Sequence, residues 1–155
     1  MRTSSKASPR DEFRMDLQSA SLDGSSQGWP TPPDGWTSLI GTRANVLVTG
    51  TADALTAFVS AARPAMREPV RSTAHSALMQ PEPARPILPA RTLILTDVNA
   101  LDEAGQQWLM KWLNDGSDAD TQVISLTSVP LFALVENKRF DATLYYRLNT
   151  IHLKI

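Results

Sequence analysis

Three short apolar runs, each followed by a turn signal and then a helical pattern, constrain the fold of this chain more than any other feature. The runs are "ANVLVTG", "TLILTDV" and "TQVISLTS", at residues 44–50, 92–98 and 121–128. Continuous apolar runs of leucine and β-branched residues are typical of strands that are buried on both faces. Strands that alternate with helices predict an α/β fold with a parallel sheet and right-handed crossovers.

The segments between these runs carry helical patterns. Residues 51–63 predict a helix that is capped by Thr51 or Asp53 and ended by Pro64. The clearest helix is "LDEAGQQWLMKWLNDG", with Asp102 as N-cap and Gly116 at the C′ position. Shorter helices are predicted at "LFALVENKRF" and "ATLYYRL", and two further strands around 70–73 and at "TIHLKI".

The two ends of the chain differ in composition. The chain has 155 residues, which is enough for one domain with a real core. Residues 1–40 are rich in Ser, Gly, Pro and Asp, and such a stretch buries too little apolar surface to offset its ordering entropy. We therefore expect a flexible N-terminal arm over residues 1–40 and a folded core over residues 41–155.

Charge and residue types argue against several classes of function. The formal net charge of −1 gives no field that favours nucleic acid or an anionic membrane. Cysteine is absent, and His75 and His152 lie far apart without ligand spacing, so we expect no metal site. No apolar run approaches the ~20 residues of a membrane span, and no signal peptide is recognised. We expect a cytoplasmic protein without direct contact to DNA or membrane.

The junction at Gly50, where the first strand meets the first helix, is the place for a phosphate-binding loop. Such a loop requires G-x-x-x-x-G-K-[ST], because glycines let backbone N–H groups wrap the phosphates, the Lys neutralises them and the hydroxyl holds magnesium. The chain has "GTADALTA". Gly50 is kept, but Leu55, Thr56 and Ala57 replace the second Gly, the Lys and the hydroxyl residue.

From residue 92 onward the chain resembles the AAA+ domain of bacterial sigma-54-dependent transcriptional activators. That family reads T-L-F-L-D-E-I, L-Q-x-x-L-L-x-x-L-Q-x-G, I-I-A-A-T-N and R-F-R-x-D-L-Y-Y-R-L-N. The chain has "TLILTDV", "GQQWLMKWLNDG", "VISLTS" and "RFDATLYYRLN", in the same order and spacing. The resemblance covers residues 44–155 and is weaker before 92. It implies a P-loop NTPase (AAA+) core, a three-layer sandwich with a parallel sheet of about five strands.

The departures from the family pattern fall on residues that handle ATP. Thr96 replaces the metal-coordinating Asp of the second acidic motif, and Asp97 replaces the water-activating Glu. Thr127 and Ser128 partly match the polar sensor Thr-Asn. The resemblance therefore implies no catalytic residue, no required cofactor and weak binding of ATP and magnesium at most. The residual nucleotide-binding set that it implies is Gly50, Thr51, Thr56, Asp97 and Thr127.

The family presents two arginines to the nucleotide of the neighbouring subunit. One of these positions is Asp141, which would repel a triphosphate, and the other is Arg147. Arg147 fits either a structural ion pair or a residual contact with a neighbour. Trp108 stands where the family has a Lys, and it is either a residue at the margin of the core or an anchor for a partner protein. With Arg139 these residues form the predicted partner interface, and the implied partner is an intact AAA+ activator.

Two further family features have no counterpart in this sequence. The sigma-factor-contacting loop, G-A-F-T-G-A, is replaced by a proline-rich connector over residues 79–91, and neither a helical lid nor a DNA-binding motif follows "YYRLN". The "LYYRLN" string predicts packing, with Leu144, Tyr145 and Leu148 as the helix face that seats the final strand.

Three functional hypotheses stay open at this point, and the sequence specifies no oligomeric state. The first is a non-hydrolysing AAA+ core that serves as a regulatory or protein-interaction module linked to transcription regulation. The second is a weak ATP-binding domain that hydrolyses ATP only within a mixed ring. The third is an unrelated receiver-like or dinucleotide-binding α/β module, against which the lack of G-x-G-x-x-G argues. The phosphate-loop residues favour the first.

Overall fold

The computed structural model describes residues 36–79, 90–116 and 120–155, all within one compact unit. Most of the predicted N-terminal arm and most of the proline-rich connector lie outside the described residues. Ile40 is already buried, with 3% of its surface exposed, so the folded part begins before residue 41.

Strands and helices alternate along the described chain as the sequence predicts. The strands are β1 (Val46–Thr49), β2 (Val70–Ala74), β3 (Thr92–Thr96), β4 (Gln122–Thr127) and β5 (Ile151–Lys154). The α-helices are α1 (Trp36–Leu39), α2 (Ala52–Ala62), α3 (His75–Leu78), α4 (Glu103–Lys111), α5 (Leu131–Glu136) and α6 (Ala142–Leu148). Short 3₁₀ turns cover Arg63–Ala65 and Val98–Ala100, and a π-helical turn, Trp112–Gly116, extends α4.

Two of the predicted helix caps are present. The Thr51 hydroxyl accepts a hydrogen bond from the Ala54 N–H at the start of α2, and the Asp102 carboxylate accepts one from the Gly105 N–H at the start of α4. Gly116 does not follow the helix as a C′ residue, because the π-helical turn runs through it.

The five strands form one parallel sheet in the order β2-β3-β4-β1-β5. Because all strands run in the same direction, their carboxyl ends meet at one edge of the sheet and their amino ends at the other. The carboxyl ends of β3, β4 and β1 are direct neighbours in this order. The predicted α/β fold with a parallel sheet is confirmed.

Two apolar cores lie on the two faces of the sheet, so the fold has three layers. The core under α4, α5 and α6, which we call the α6 core, includes Leu47, Leu93, Val123, Leu109 and Leu144. The core under α2, which we call the α2 core, includes Val46, Ile94, Ile124, Phe58 and Ala62. Successive strand residues alternate between the two cores, as the pleat of a strand requires.

The predicted contact between the last helix and the last strand is wrong. Leu144, Tyr145 and Leu148 are buried in the α6 core, whereas Ile151 and Leu153 of β5 pack against the α2 core on the other face of the sheet. The helix and the strand follow each other in the chain, but their apolar side chains point to opposite faces.

Among the described residues, no helix has the length and the apolar character that crossing a membrane requires.

Candidate functional site

The predicted nucleotide-binding residues lie near the carboxyl edge of the sheet, with one exception. Gly50 and Thr51 follow β1, Asp97 follows β3, and Thr127 ends β4. Since these three strands are neighbours, the four residues lie along one edge, where parallel α/β sheets usually bind ligands. The exception is Thr56, which lies inside α2.

The connection between β1 and α2 consists of Gly50 and Thr51 alone. A phosphate-binding loop needs several residues between strand and helix, because its backbone N–H groups must surround the phosphates. Leu55 and Thr56 align with the second Gly and the Lys of that loop but are already helical. The Leu55 side chain is buried, and the Thr56 hydroxyl donates to the Ala52 carbonyl at 2.9 Å.

Two polar groups of this connection, the Gly50 N–H and the Thr51 hydroxyl, already have partners within the fold. The Gly50 N–H donates to the Thr127 carbonyl at 3.1 Å. The Thr51 hydroxyl accepts from the Ala54 N–H at 3.2 Å, so one helix N-terminal amide is satisfied internally. Asp53 places a carboxylate in the first turn of α2. That charge complements the helix dipole and opposes a phosphate at the same place.

The last residue of the sequence, Ile155, closes over Gly50. A Cβ added to Gly50 would lie 2.5 Å from Ile155 Cγ1 and 3.0 Å from the Ile155 carbonyl oxygen. The Ile155 N–H donates to the Thr49 carbonyl at 2.9 Å, which holds the residue in this position. The close approach of Ile155 therefore favours glycine at residue 50, because a Cβ there would make Ile155 shift.

Asp97 is an exposed carboxylate at this edge. Its backbone is left-handed, with a φ of 53°, and 59% of its side chain is exposed. Its Oδ2 lies 4.0 Å from Nδ1 of His75, the first residue of α3. The described structure gives His75 Nδ1 no hydrogen-bond partner. No group of three or more His, Asp or Glu residues within the described ranges is arranged to hold a metal ion.

Thr127, the predicted sensor residue, is fully buried and holds the turn that follows β4. Its hydroxyl donates to the Val129 carbonyl at 2.7 Å and accepts from the Val129 N–H at 3.2 Å. The Asn99 side chain lies 3.1 Å from the same hydroxyl. A hydroxyl has one hydrogen to donate, so an Asn99 amide that turns its NH₂ toward Thr127 would satisfy both groups.

A second site is a groove of about 620 Å³ between α4 and α6, which we call the α4–α6 groove. Its charged lining residues are Glu103, Lys111, Asp141 and Arg147, and the rest of the lining is Gln106, Gln107, Met110, Asn114 and Thr143. Two of the predicted interface residues, Asp141 and Arg147, are thus brought together in one concave surface. Arg139 and Trp108 do not line it.

Both charged interface residues in the groove also stabilise the fold. Asp141 is the N-cap of α6, and its Oδ1 accepts from the Leu144 N–H at 2.8 Å. The Arg147 guanidinium donates to Asn114 Oδ1 at 2.6 Å and to the Leu113 carbonyl at 3.1 Å. Arg147 therefore makes a structural contact with neutral groups at the end of α4, and the described residues give it no ion pair.

The other two predicted interface residues lie beside the groove. Arg139 is exposed, and its carbonyl accepts from Gln106. Trp108 is half-buried and packs against the α6 core. This position of Trp108 agrees with its interpretation as a core margin.

Gln106 organises the groove, although it was not among the residues predicted from the sequence. It is 6% exposed, and its Nε2 donates to the Leu101 and Arg139 carbonyls, both at 3.0 Å. Its Oε1 accepts from the Asp141 N–H at 2.8 Å. The signal was available, because Gln106 occupies the same helical stripe as the buried Leu109 and would be expected to point inward.

A further group of charges lies at the opposite, amino edge of the sheet. Asp120 Oδ1 accepts from Arg43 Nε at 2.7 Å and from Arg67 Nη1 at 3.2 Å, and Arg67 also donates to the Asp120 carbonyl. The hydrogen bond from Arg67, with the positive charges of Arg43, Arg67 and Arg91, lowers the pKa of Asp120 despite some desolvation. This cluster joins the segments that precede β1, β2 and β4, and neither candidate site includes it.

Comparisons with known proteins agree with this geometry. A model of the sigma-54 interaction domain family matches residues 38–155. The crystal structure of NtrX from Brucella abortus is similar, with a TM-score of 0.62 and 16% identity over 94% of this chain. The chain spans 40% of the length of that NtrX structure. No match was found among the curated protein sequences compared with this chain.

Two other solved structures share the fold. The P-loop NTPase domain of the sigma-54 transport activator from E. coli gives a TM-score of 0.57 and 14% identity, over 94% of this chain and 97% of that one. The crystal structure of a DNA replication initiation factor gives a TM-score of 0.53 and 12% identity, over 94% of this chain and 46% of that protein's chain. The predicted P-loop NTPase (AAA+) fold is confirmed.

Proposed function

The chain belongs to the sigma-54 interaction domain family, and from that premise we propose that it is a non-hydrolysing AAA+ module that acts by binding another protein. The partner is an intact AAA+ subunit of the same family, and the binding surface is the α4–α6 groove with the exposed Arg139 beside it. The module regulates that subunit, which links it to the control of transcription.

The observation that carries the first half of the proposal is the two-residue connection between β1 and α2. The connection is too short to wrap phosphates, and two of the N–H groups nearby are already used, because the Gly50 amide donates to the Thr127 carbonyl and the Ala54 amide donates to the Thr51 hydroxyl. The lysine that neutralises phosphates in the family has no counterpart in α2. The residues present do not fit a nucleoside triphosphate with its magnesium ion, and the proposal includes no hydrolytic step.

The second half of the proposal rests on the contrast between the two sites. The α4–α6 groove is open and charged, and Arg147 and Asp141 lie in it on a short helix whose capping and packing are intact. In the family this segment faces the nucleotide of the next subunit. A chain with a closed nucleotide edge and an open groove can dock on one neighbour without offering a nucleotide to another.

Titration calorimetry with magnesium-ATP tests the first half. Loss of about three charge-assisted contacts, each contributing about 1.5–3 kcal/mol, weakens binding by a factor of thousands or more. We therefore expect a dissociation constant in the millimolar range or no measurable heat, with an intact family member as the positive control. A micromolar dissociation constant would contradict the proposal and would favour the mixed-ring hypothesis.

The ATPase rate of an intact sigma-54 activator AAA+ domain tests the second half. Adding the protein should lower the rate, because docking would bring the Asp141 carboxylate near the neighbour's phosphates. Asp141→Asn is the informative variant, because Asn caps a helix about as well as Asp but carries no charge. The variant should still bind the intact domain, but it should inhibit the ATPase rate less than the wild type does. If the wild-type protein neither co-purifies with the intact domain nor changes its rate, the docking proposal is wrong.

A further inference from the structure

The charges of the α4–α6 groove are separated into an acidic end and a basic end. Glu103 lies in the first turn of α4 and Asp141 caps the start of α6, whereas Lys111 and Arg147 lie in the last turns of the same helices. Hydrogen bonds link the two helices near both ends, from the Asp141 N–H to Gln106 and from Arg147 to Asn114. The helices therefore run side by side in the same direction, with like charges at the same end.

Within residues 36–79, 90–116 and 120–155, no salt bridge joins any of these four side chains to an opposite charge. The salt bridges among the described residues are Arg43–Asp120, Arg63–Glu68, Arg67–Asp120 and His75–Asp97, none of which involves the groove. Asp141 and Arg147 bond neutral groups, and the Glu103 carboxylate accepts a long bond of 3.4 Å from Gln107. As far as the described residues show, the groove therefore presents two acidic charges at one end and two basic charges at the other, without ion pairs between them and other side chains.

The exposed ridge of α4 has the same order of charges. Glu103, Gln107, Met110, Lys111 and Asn114 recur at helical spacing and form one stripe along the groove. Glu103 and Lys111 are eight residues apart, which is about 12 Å along a helix. Between them lie the neutral Gln107 and the half-buried Met110, a flexible apolar side chain that adapts to an opposing surface.

A surface with this order of charges complements a copy of itself that runs in the opposite direction. A two-fold axis across the middle of α4 would place the acidic end of each copy against the basic end of the other. Two-fold interfaces require this self-complementarity. The geometry points to a second copy of this chain as the occupant of the α4–α6 groove, with α4 of each copy seated in the groove of the other and Glu103 paired with the partner's Lys111.

Such a dimer would be weak and sensitive to salt, because it depends on exposed ion pairs around a small apolar centre. It would cover the same groove that the proposed function assigns to docking, so the two states would compete. The inference does not depend on the proposed function, since a dimer can form whether or not an intact AAA+ subunit is a partner.

Analytical ultracentrifugation of the full chain with two charge-reversal variants tests the inference. In Glu103→Lys alone or Lys111→Glu alone, like charges would meet at both contacts of the dimer, and association should weaken about 10- to 30-fold. In an equimolar mixture of the two variants, every contact again joins opposite charges. The mixture should therefore dimerise as well as the wild type at about 0.05 M salt, and dimers should be lost at about 1 M, where the Debye length is about 3 Å.

The matched control is the pair Glu136→Lys and Lys138→Glu. Both residues are exposed and lie outside the groove lining, and the two changes alter the net charge by the same amounts. Each of these two control variants, alone or in the mixture, should associate as the wild type does. Melting curves of all four variants check that each one is folded. A monomeric wild type at low salt, or a dimer that responds equally to both pairs of variants, would overturn the inference.

Discussion

The β1–α2 connection and the α4–α6 groove descend from the same family pattern but differ in how their polar groups are used. At the connection, the Gly50 amide and the Thr51 hydroxyl are bonded within the chain, and Ile155 covers the glycine. In the groove, Asp141 and Arg147 also bond within the chain, yet the groove around them stays open and charged.

The difference shows that retained residues do not by themselves retain a site. Gly50 keeps its identity, but its packing against Ile155 is sufficient to explain a glycine there. Asp141 departs from the family, but its capping of α6 is sufficient to explain an Asp there. At both positions a structural role explains the residue, and only the open space around the groove favours a binding role.

Removing the side chain that organises the groove should give the largest effect. Gln106→Leu leaves the Asp141 N–H and the carbonyls of Leu101 and Arg139 without their partner. Unsatisfied buried polar groups are costly, and we expect a loss of about 3 kcal/mol in the free energy of unfolding by urea denaturation. The control is Gln107→Leu, one residue along the helix and exposed, which should change stability by less than about 0.5 kcal/mol.

The outcome shows whether the buried Gln106 amide fixes the shape of the α4–α6 groove. If Gln106→Leu is as stable as Gln107→Leu, the α6 N-terminus does not depend on Gln106, and the groove is not fixed by this network. If the loss is large, the position of Asp141 in the groove is set by the buried amide.

A methyl group at the closed site should have a smaller effect. Gly50→Ala places a Cβ 2.5 Å from Ile155 Cγ1 and 3.0 Å from its carbonyl oxygen, so Ile155, which follows β5, must shift. Overpacking of this kind costs about 1–3 kcal/mol, and we expect about 2 kcal/mol by thermal or urea unfolding. Magnesium-ATP titration should be unchanged, because the glycine serves packing here and not phosphate binding.

A double-mutant cycle provides the control for this contact. In an Ile155→Ala background the side-chain clash is absent, so Gly50→Ala should cost about 1 kcal/mol less than in the wild type. Equal losses in both backgrounds would show that the strain arises elsewhere.

Much of the fold could be predicted because the signals are local. The strands at "NVLVTG", "TLILT" and "QVISLT" are apolar runs that end in clear turn residues, and Asp102 and Thr51 are ordinary caps. The face chosen by β5 could not be predicted, because "TIHLKI" alternates and either face of the sheet can bury its apolar set. The sheet order decides it, and that order depends on contacts distant in sequence.

The candidate sites were harder to predict from the sequence, because their geometry depends on lengths and partners. The "GTADALTA" stretch shows which residues replace the phosphate loop, but not that the helix begins at Ala52 and leaves a two-residue connection. Arg147 shows a charge, but not that Asn114 and Leu113 hold it. Gln106 carried a readable signal, since a polar residue on an apolar helical stripe needs a buried partner.

The smallest effect concerns His152 on β5, the strand that leads to the cover over Gly50. Burial, and secondly the positive charge of Lys154, lower the pKa of His152 below its ordinary value of 6.5. The unfolded chain therefore binds a proton more readily than the folded chain, and the free energy of unfolding should fall as the pH drops below about 6.5. Its Nε2 lies 2.9 Å from the Thr49 hydroxyl, so protonation acts directly on the β1–β5 contact.

Urea unfolding at several pH values between about 5.5 and 8 measures this effect, with His152→Gln expected to flatten the curve. Lys154→Gln keeps the burial and removes the charge, so it should reduce the slope without abolishing it. Asp120 does not interfere with this measurement. Its pKa in the folded chain lies below the ordinary value of 3.8, so the stability that it contributes is lost only as the pH falls below about 3.8. A slope that survives in His152→Gln would assign the pH dependence to another group, and the cover over Gly50 would then be insensitive to protonation of β5.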